Sequence, residues 1–113
     1  MGVFTLSYAG CEKPSPGYDS VYCSAKLFLE SDNELNAAWK QLMTFLNAEQ
    51  KKNIIQVQRD WIKYRNAKCS TNNSIDVDCN YDVNKERTKF ILDRITECKI
   101  GSCKDSMLSK SEW

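Results

Sequence analysis

Apolar residues recur at steps of three and four through most of the chain after about residue 22. This spacing places them on one face of a helix, and no stretch of useful length alternates apolar and polar residues as a half-buried strand would. The clearest series comprises Leu35, Ala38, Trp39, Leu42, Phe45 and Leu46. The pattern therefore predicts an all-α protein.

Two tetrapeptides have the form of helix N-termini, Ser31-Asp32-Asn33-Glu34 and Asn47-Ala48-Glu49-Gln50. In each, a capping side chain is followed three residues later by a Glu or Gln that can bond back to the backbone of the cap. They predict one helix that follows Ser31 and another that extends to about residue 68. Because almost no loop joins these helices, we expect a long antiparallel hairpin with shorter helices packed against it, about four helices in all.

A polar segment from Ser70 to Asp78 separates this hairpin from a last amphipathic helix, predicted at about 82–99 and ended by Gly101. Both prolines and three of the four glycines lie in residues 1–19, which predicts an irregular arm. We therefore divide the chain into an irregular N-terminal arm (1–19), a helical domain (20–100) and a polar C-terminal tail (101–113).

The chain of 113 residues contains six cysteines: Cys11, Cys23, Cys69, Cys79, Cys98 and Cys103. Such usage indicates metal binding in a reducing compartment and disulfides in an exported protein. No two cysteines have C-x-x-C spacing and histidine is absent, so we expect no metal site. Spacing alone does not select a pairing. We expect the local set Cys11–Cys23, Cys69–Cys79 and Cys98–Cys103, of which the first two close loops worth about 3 kcal/mol each.

The charge and composition exclude several classes of function. Sixteen Lys and Arg against fifteen Asp and Glu give a net charge of +1, which argues against a nucleic-acid binder. No apolar run is long enough to cross a membrane. The lack of histidine removes the commonest general base. Carboxylate pairs such as Asp76 and Asp78 could do acid–base work only if burial separated their pKa values, so we expect neither an enzyme nor a cofactor.

The segment Gln58–Cys69, with the sequence QRDWIKYRNAKC, resembles the signature of the lysozyme-inhibitor LprI-like N-terminal domain, approximately Q-R-x-W-[IL]-x-[FY]-R-[DN]-x-x-C. The resemblance extends over roughly residues 11–95, since the pair Cys11 and Cys23, the segment Glu34-Leu35-Asn36 and the segment from Cys79 to Arg87-Thr88 are similar to its other elements. Cys98 and Cys103 lie beyond its pattern. The motif residues that we expect to be structural are Asn36, Gln58, Arg59, Trp61, Arg65 and Arg87.

This resemblance implies an exported, helical, disulfide-bonded domain whose named activity is inhibition of lysozyme. Some small exported members are similar to immunity proteins against toxins that attack peptidoglycan. We therefore expect a periplasmic protein, separated from its signal peptide, that binds and occludes a peptidoglycan-targeting enzyme: a competitor's toxin or a lysozyme. The alternatives are a general lysozyme inhibitor and an envelope structural or ligand-binding domain without an enzyme target. A carrier of small apolar ligands, like the six-cysteine odorant carriers, is disfavoured by the cysteine spacing.

Arginine and tryptophan side chains allow two interpretations each. Arg59, Arg65 and Arg87 could clamp a carboxylate or phosphate, but we favour stems packed across the helix interface with guanidinium groups bonded to helix-end carbonyls or glutamates. Trp39 and Trp61 could form a sugar-stacking platform, but both lie on apolar stripes, which favours core packing. We likewise expect the polar residues Asn36 and Gln58 to hydrogen-bond inside the bundle.

The polar segment 70–78 is the remaining candidate for a binding surface. A disulfide at its base would preorganise it and lower the entropy cost of docking. Its carboxylates suit the cationic cleft of a wall-cutting enzyme, and an aromatic residue just beyond it could serve as an anchor. The alternative of a plain surface loop stays open. The candidate partner-binding residues are Asn73, Asp76, Asp78 and Tyr81.

Overall fold

The computed structural model describes residues 18–71, 74–111 and 113. They form four helices, α1 (Tyr18–Met43), α2 (Ala48–Lys68), α3 (Val77–Ile100) and α4 (Asp105–Leu108), and two strands of two residues, β1 (Ser70–Thr71) and β2 (Ser74–Ile75). The all-α class and the number of helices are confirmed. Of the predicted N-terminal arm, residues 1–17 lie outside the described residues, and residues 18 and 19 belong to α1.

α1 and α3 pack closely and run in the same direction. Ser31 of α1 bonds to Asn84 of α3, and Glu34 pairs with Lys85, so positions further along α1 contact positions further along α3. Small side chains such as Ser31 and Ala38 are buried on α1, and short polar side chains are buried on α3. Small residues let two helix backbones approach closely, which explains why this pair is the tightest in the bundle.

α2 runs antiparallel to both of the other long helices. Arg65 reaches Asn84 and Gln58 reaches Arg87, so the position on α3 rises as that on α2 falls. Arg65, near the end of α2, also lies 3.6 Å from Asp32 of α1, whereas only residues 44–47 connect these helices at their other ends. The predicted antiparallel hairpin is therefore present, but the closest packing joins α1 to α3 and not to its chain neighbour α2.

The core lies where the three long helices meet. Trp61 of α2 is the largest fully buried side chain, and Trp39 of α1 is partly buried and packs against the same cluster. Burial of each large apolar side chain contributes about 1.5–3 kcal/mol. The other buried apolar residues of this cluster include Leu35, Leu42, Leu46, Ile54, Val83, Ile91, Ile95 and Leu108.

The predicted helix start at Ser31 is wrong, because α1 continues through this residue. The Ser31 hydroxyl donates to the carbonyl oxygen of Phe28 at 2.7 Å and accepts from Nδ2 of Asn84 at 3.1 Å. The hydroxyl thus bonds within the helix and across to α3, and it does not cap a helix start. The second predicted start is correct: Asn47 and Gln50 form a reciprocal capping box at the beginning of α2.

The last long helix begins at Val77, earlier than the predicted position near residue 82, because Asp76 caps it. The segment predicted as a polar tail contains the one-turn helix α4, whose Leu108 is buried in the core. Nε2 of Gln50 donates to Asp105 at 2.8 Å and fixes this turn against α2. The buried Leu108, this hydrogen bond and the Cys98–Cys103 disulfide thus order part of a segment with polar composition.

Two of the predicted disulfides, Cys69–Cys79 and Cys98–Cys103, are confirmed, with Cα–Cα distances of 5.4 and 4.1 Å. The predicted partner of Cys23 is Cys11, which lies outside the described residues. Cys23 is buried, and none of the cysteines in the described part of the chain is a free thiol. None of the described helices has the length and apolarity needed to span a membrane.

We predict that Asn84→Ala lowers the free energy of unfolding by about 2–4 kcal/mol, because the lost amide leaves the buried Ser31 hydroxyl and the Arg65 guanidinium each short of a partner. Asn53→Ala, at an exposed site on α2, serves as the control and should change it by less than about 0.5 kcal/mol. Urea denaturation followed by circular dichroism measures both. Equal stability of the two variants would contradict this role of Asn84.

Candidate functional site

A covalent crosslink fixes the end of the bundle where α2 passes into α3. Cys69, which follows the last residue of α2, is bonded to Cys79 in the first turn of α3. Between them, β1 and β2 pair as a minimal antiparallel ladder, and the backbone N–H of Asp76 donates to the carbonyl oxygen of Cys69 at 2.8 Å. The predicted binding segment is thus held at both ends, and Asn73 lies outside the described residues.

Asp76 is exposed but has a structural task. Its Oδ1 accepts a hydrogen bond from the backbone N–H of Cys79 at 3.0 Å, which makes it the N-cap of α3. Its carbonyl oxygen accepts from Nδ2 of the buried Asn80 at 2.8 Å. The sequence analysis missed this cap because Cys79, at the third position of the helix, cannot complete the capping box that marks the start of α2.

Asp78 and Tyr81 lie three residues apart in α3 and therefore on neighbouring positions of the helix surface. Asp78 is exposed and Tyr81 is half-buried. Nζ of Lys85 lies 5.9 Å from the centroid of the Tyr81 ring and pairs with Glu34 of α1 at 2.8 Å. The hydrogen bond to Glu34 raises the pKa of Lys85. Three of the four predicted site residues thus lie in the N-cap and the first turns of α3.

The three motif arginines occupy different environments. Arg59 is exposed on α2. Nη1 of Arg65 donates to Asn84 at 3.0 Å, and its guanidinium lies 5.3 Å from the Trp61 ring. Nε of the buried Arg87 donates to Gln58 at 2.9 Å.

The predicted partners of these arginines, helix-end carbonyls and glutamates, are therefore wrong for Arg65 and Arg87. Both guanidinium groups are directed across to a neighbouring long helix, where amide side chains, Asn84 for Arg65 and Gln58 for Arg87, accept their hydrogen bonds. Gln58 hydrogen-bonds inside the bundle as expected, but Asn36 is exposed. Leu35 faces the core, and Asn36, the next residue of α1, lies about 100° further around the helix axis, so its side chain points away from the core.

The sequence analysis also missed a set of buried polar residues on α3. Asn80, Asn84, Arg87 and Arg94 are all buried, Asn84 completely. They are separated by four, three and seven residues, which places them on the same face of the helix as the apolar stripe. This spacing could have indicated their burial, but polar residues are normally assigned to the solvated face.

Burial lowers the pKa of Arg87 to about 10, with a smaller contribution from the like charge of Arg94. Arg87 is therefore still a cation at neutral pH. No cluster of three or more Cys, Asp or Glu suited to a metal ion occurs among the residues that the structure describes.

We predict that Asp76→Ala lowers the free energy of unfolding by about 1 kcal/mol through loss of the cap, whereas Asp76→Ser, which retains a capping oxygen, changes it by only a few tenths. Asp78→Ala, two residues along, serves as the control, with a loss within about 0.5 kcal/mol. Chemical denaturation of the oxidised proteins provides the measurement. If the Ser and Ala variants of Asp76 were equally stable, its side chain would have no capping role.

Comparison with known proteins adds to this geometry. The family model described as lysozyme inhibitor LprI matches residues 11–91, which include the Cys69–Cys79 crosslink, the capped start of α3 and the three motif arginines. The match ends before Cys98 and α4. Neither a curated protein nor a solved structure matches the chain. Since the matched residues make up most of the chain, this protein belongs to the LprI family of lysozyme inhibitors.

Proposed function

We propose that this protein is an exported inhibitor that binds a peptidoglycan-cleaving enzyme and occludes its cleft without catalysing a reaction. The family match over residues 11–91 is the observation that carries the proposal. The target is a lysozyme or, in the more specific form of the proposal, a wall-attacking toxin delivered by a competing bacterium. In that form the protein is an immunity protein.

The surface that we assign to the target is the crosslinked end of α3, with Asp76, Asp78 and Tyr81. The Cys69–Cys79 bond and the cap at Asp76 hold these side chains on a fixed backbone, so docking loses little conformational entropy. Two exposed carboxylates beside an aromatic ring complement a cationic cleft that binds sugars. Asn73, in the same segment, completes the proposed surface.

Local charge matters more than total charge in this proposal. The net charge of +1 offers no long-range attraction toward a cationic enzyme. Charges at the binding end act over about a Debye length, roughly 8 Å at physiological ionic strength, and so affect the partner once it is close. We therefore expect specificity to arise from fit and short-range pairing.

The disulfides support an oxidising compartment, and we propose the bacterial periplasm. This location agrees with the target, since peptidoglycan lies there and enzymes that cut it act there. An inhibitor at the same site meets the enzyme before the wall is damaged.

We expect the oxidised protein to inhibit lysis of a peptidoglycan suspension by a lysozyme or by a toxin hydrolase, with complete inhibition near one inhibitor per enzyme. Turbidity records the lysis, and titration at fixed enzyme concentration gives the stoichiometry. Inhibition of toxin hydrolases but not of lysozyme would favour the immunity form of the proposal. If a broad panel containing both kinds of enzyme were neither bound nor slowed, the proposal would be wrong.

We further predict that the double variant Asp76→Ser/Asp78→Lys binds the target at least about tenfold more weakly, because it removes the complementary charge and retains the cap. Asp93→Lys makes the same charge reversal as Asp78→Lys, further along α3, and serves as the control with unchanged affinity. Tyr81→Ala should weaken binding to a similar extent. Calorimetry gives the dissociation constants, and circular dichroism verifies helicity. Equal affinity of the double variant and the control would place the interface elsewhere.

A further inference from the structure

A small cavity of about 140 Å³ lies between α2 and α3, away from the crosslinked end. Four aromatic rings contribute to its walls, together with Glu86 and the guanidinium of Arg87. Trp113, about two-fifths exposed, forms an outer wall and lies 5.9 Å from the ring of Tyr64. The aromatic residues are Trp61, Tyr64, Phe90 and Trp113.

The hydrogen bonding of the buried Arg87 guanidinium is incomplete. Its side chain is more than nine-tenths buried, and its Nε donates to Gln58. Its Nη2 is buried and has no hydrogen-bond partner. Among the described residues no carboxylate lies within ion-pair distance of this guanidinium, and Glu86 on the cavity wall is exposed.

Arg94 provides an internal comparison. Both arginines are almost fully buried, and both guanidinium carbons lie close to the Phe90 ring, at 4.5 Å for Arg87 and 4.4 Å for Arg94. Arg94, however, has two short hydrogen bonds to Glu97, at 2.8 and 2.7 Å. The fold therefore supplies a carboxylate for one of the two buried cations, and the other is among the residues that line a cavity.

The energetics favour an anion at this position. A buried charge without a counterion is costly, and the ring faces of Phe90 and Trp61 offset only part of that cost. The guanidinium fork matches the planar geometry of a carboxylate. The cavity can hold a small molecular group, since one water molecule needs only about 10–15 Å³ of volume measured in this way. Its aromatic walls suit a short apolar group attached to the anion.

We propose that this cavity binds a carboxylate, which accepts hydrogen bonds from the terminal nitrogens of Arg87 while its carbon tail contacts Phe90 and Trp113. Two sources share this chemistry: a free small carboxylic acid, and an acidic side chain of a bound protein. The inference does not depend on the inhibitor function, because it rests on the contacts of Arg87 alone.

The test titrates sodium acetate into the oxidised full chain and follows the indole N–H signals of Trp61 and Trp113 by NMR. Sodium chloride at equal ionic strength and acetamide, a neutral molecule of the same shape, are the control ligands. Saturable shifts of both indole signals with acetate, and with neither control, are expected. A linear response, or the same response to acetamide, would overturn the proposal.

Variants assign the binding to Arg87. Arg87→Gln should weaken acetate binding at least about tenfold, as expected for loss of a charged hydrogen bond. Arg59→Gln, which removes an exposed arginine of α2, should leave it unchanged. If Arg87→Gln does not fold, Trp113→Ala replaces it, because removal of this partly exposed wall should weaken binding without emptying the core. Unchanged affinity in the folded variant used would contradict the site.

A second titration distinguishes the sources. N-acetyl-aspartate N-methylamide presents the same carboxylate on a peptide backbone. If it competes with acetate for the tryptophan signals, the site accepts an acidic side chain of a protein. If acetate binds and the blocked aspartate does not, the site takes a free small acid. Binding of neither compound would overturn the proposal.

Discussion

The arrangement of the three long helices depends on one buried amide. Asn84 of α3 donates to the Ser31 hydroxyl of α1 and accepts from the Arg65 guanidinium of α2, so a single side chain connects all three helices. Buried polar groups must find partners, and this network is satisfied in only one alignment of the helices. Apolar packing alone would tolerate several alignments, because leucines and isoleucines fit together in more than one way.

Arg65 joins this network to the aromatic core. Its guanidinium lies over the ring of Trp61, the largest fully buried side chain, and it also contacts Asn66, Asn84 and Asp32. Three residues of the central family motif, Gln58, Trp61 and Arg65, thus help to set the position of α2 on the other two helices. This part of the motif therefore describes how the bundle is assembled.

Sequence reasoning succeeded where local physics decides the outcome. The helical class follows from apolar periodicity, the start of α2 from the reciprocal bonds of Asn47 and Gln50, and two disulfides from closeness along the chain. It failed where a residue far along the chain determines the local structure. Ser31 looks like a cap, but Asn84, far along the chain, engages its hydroxyl inside a continuous helix. The cavity at Arg87 could not be predicted for the same reason, since only the tertiary structure shows which buried arginine pairs with a carboxylate.

Both ends of α3 are closed by disulfides, Cys69–Cys79 at its start and Cys98–Cys103 at its finish. Helices normally open first at their ends, and proteases attack the extended backbone that such fraying releases. With each terminal turn covalently attached to the adjoining segment, fraying at both ends of α3 is restricted. Outside the cytoplasm, where no ATP-driven chaperone restores a damaged chain, this favours long survival of each molecule among the hydrolases it encounters.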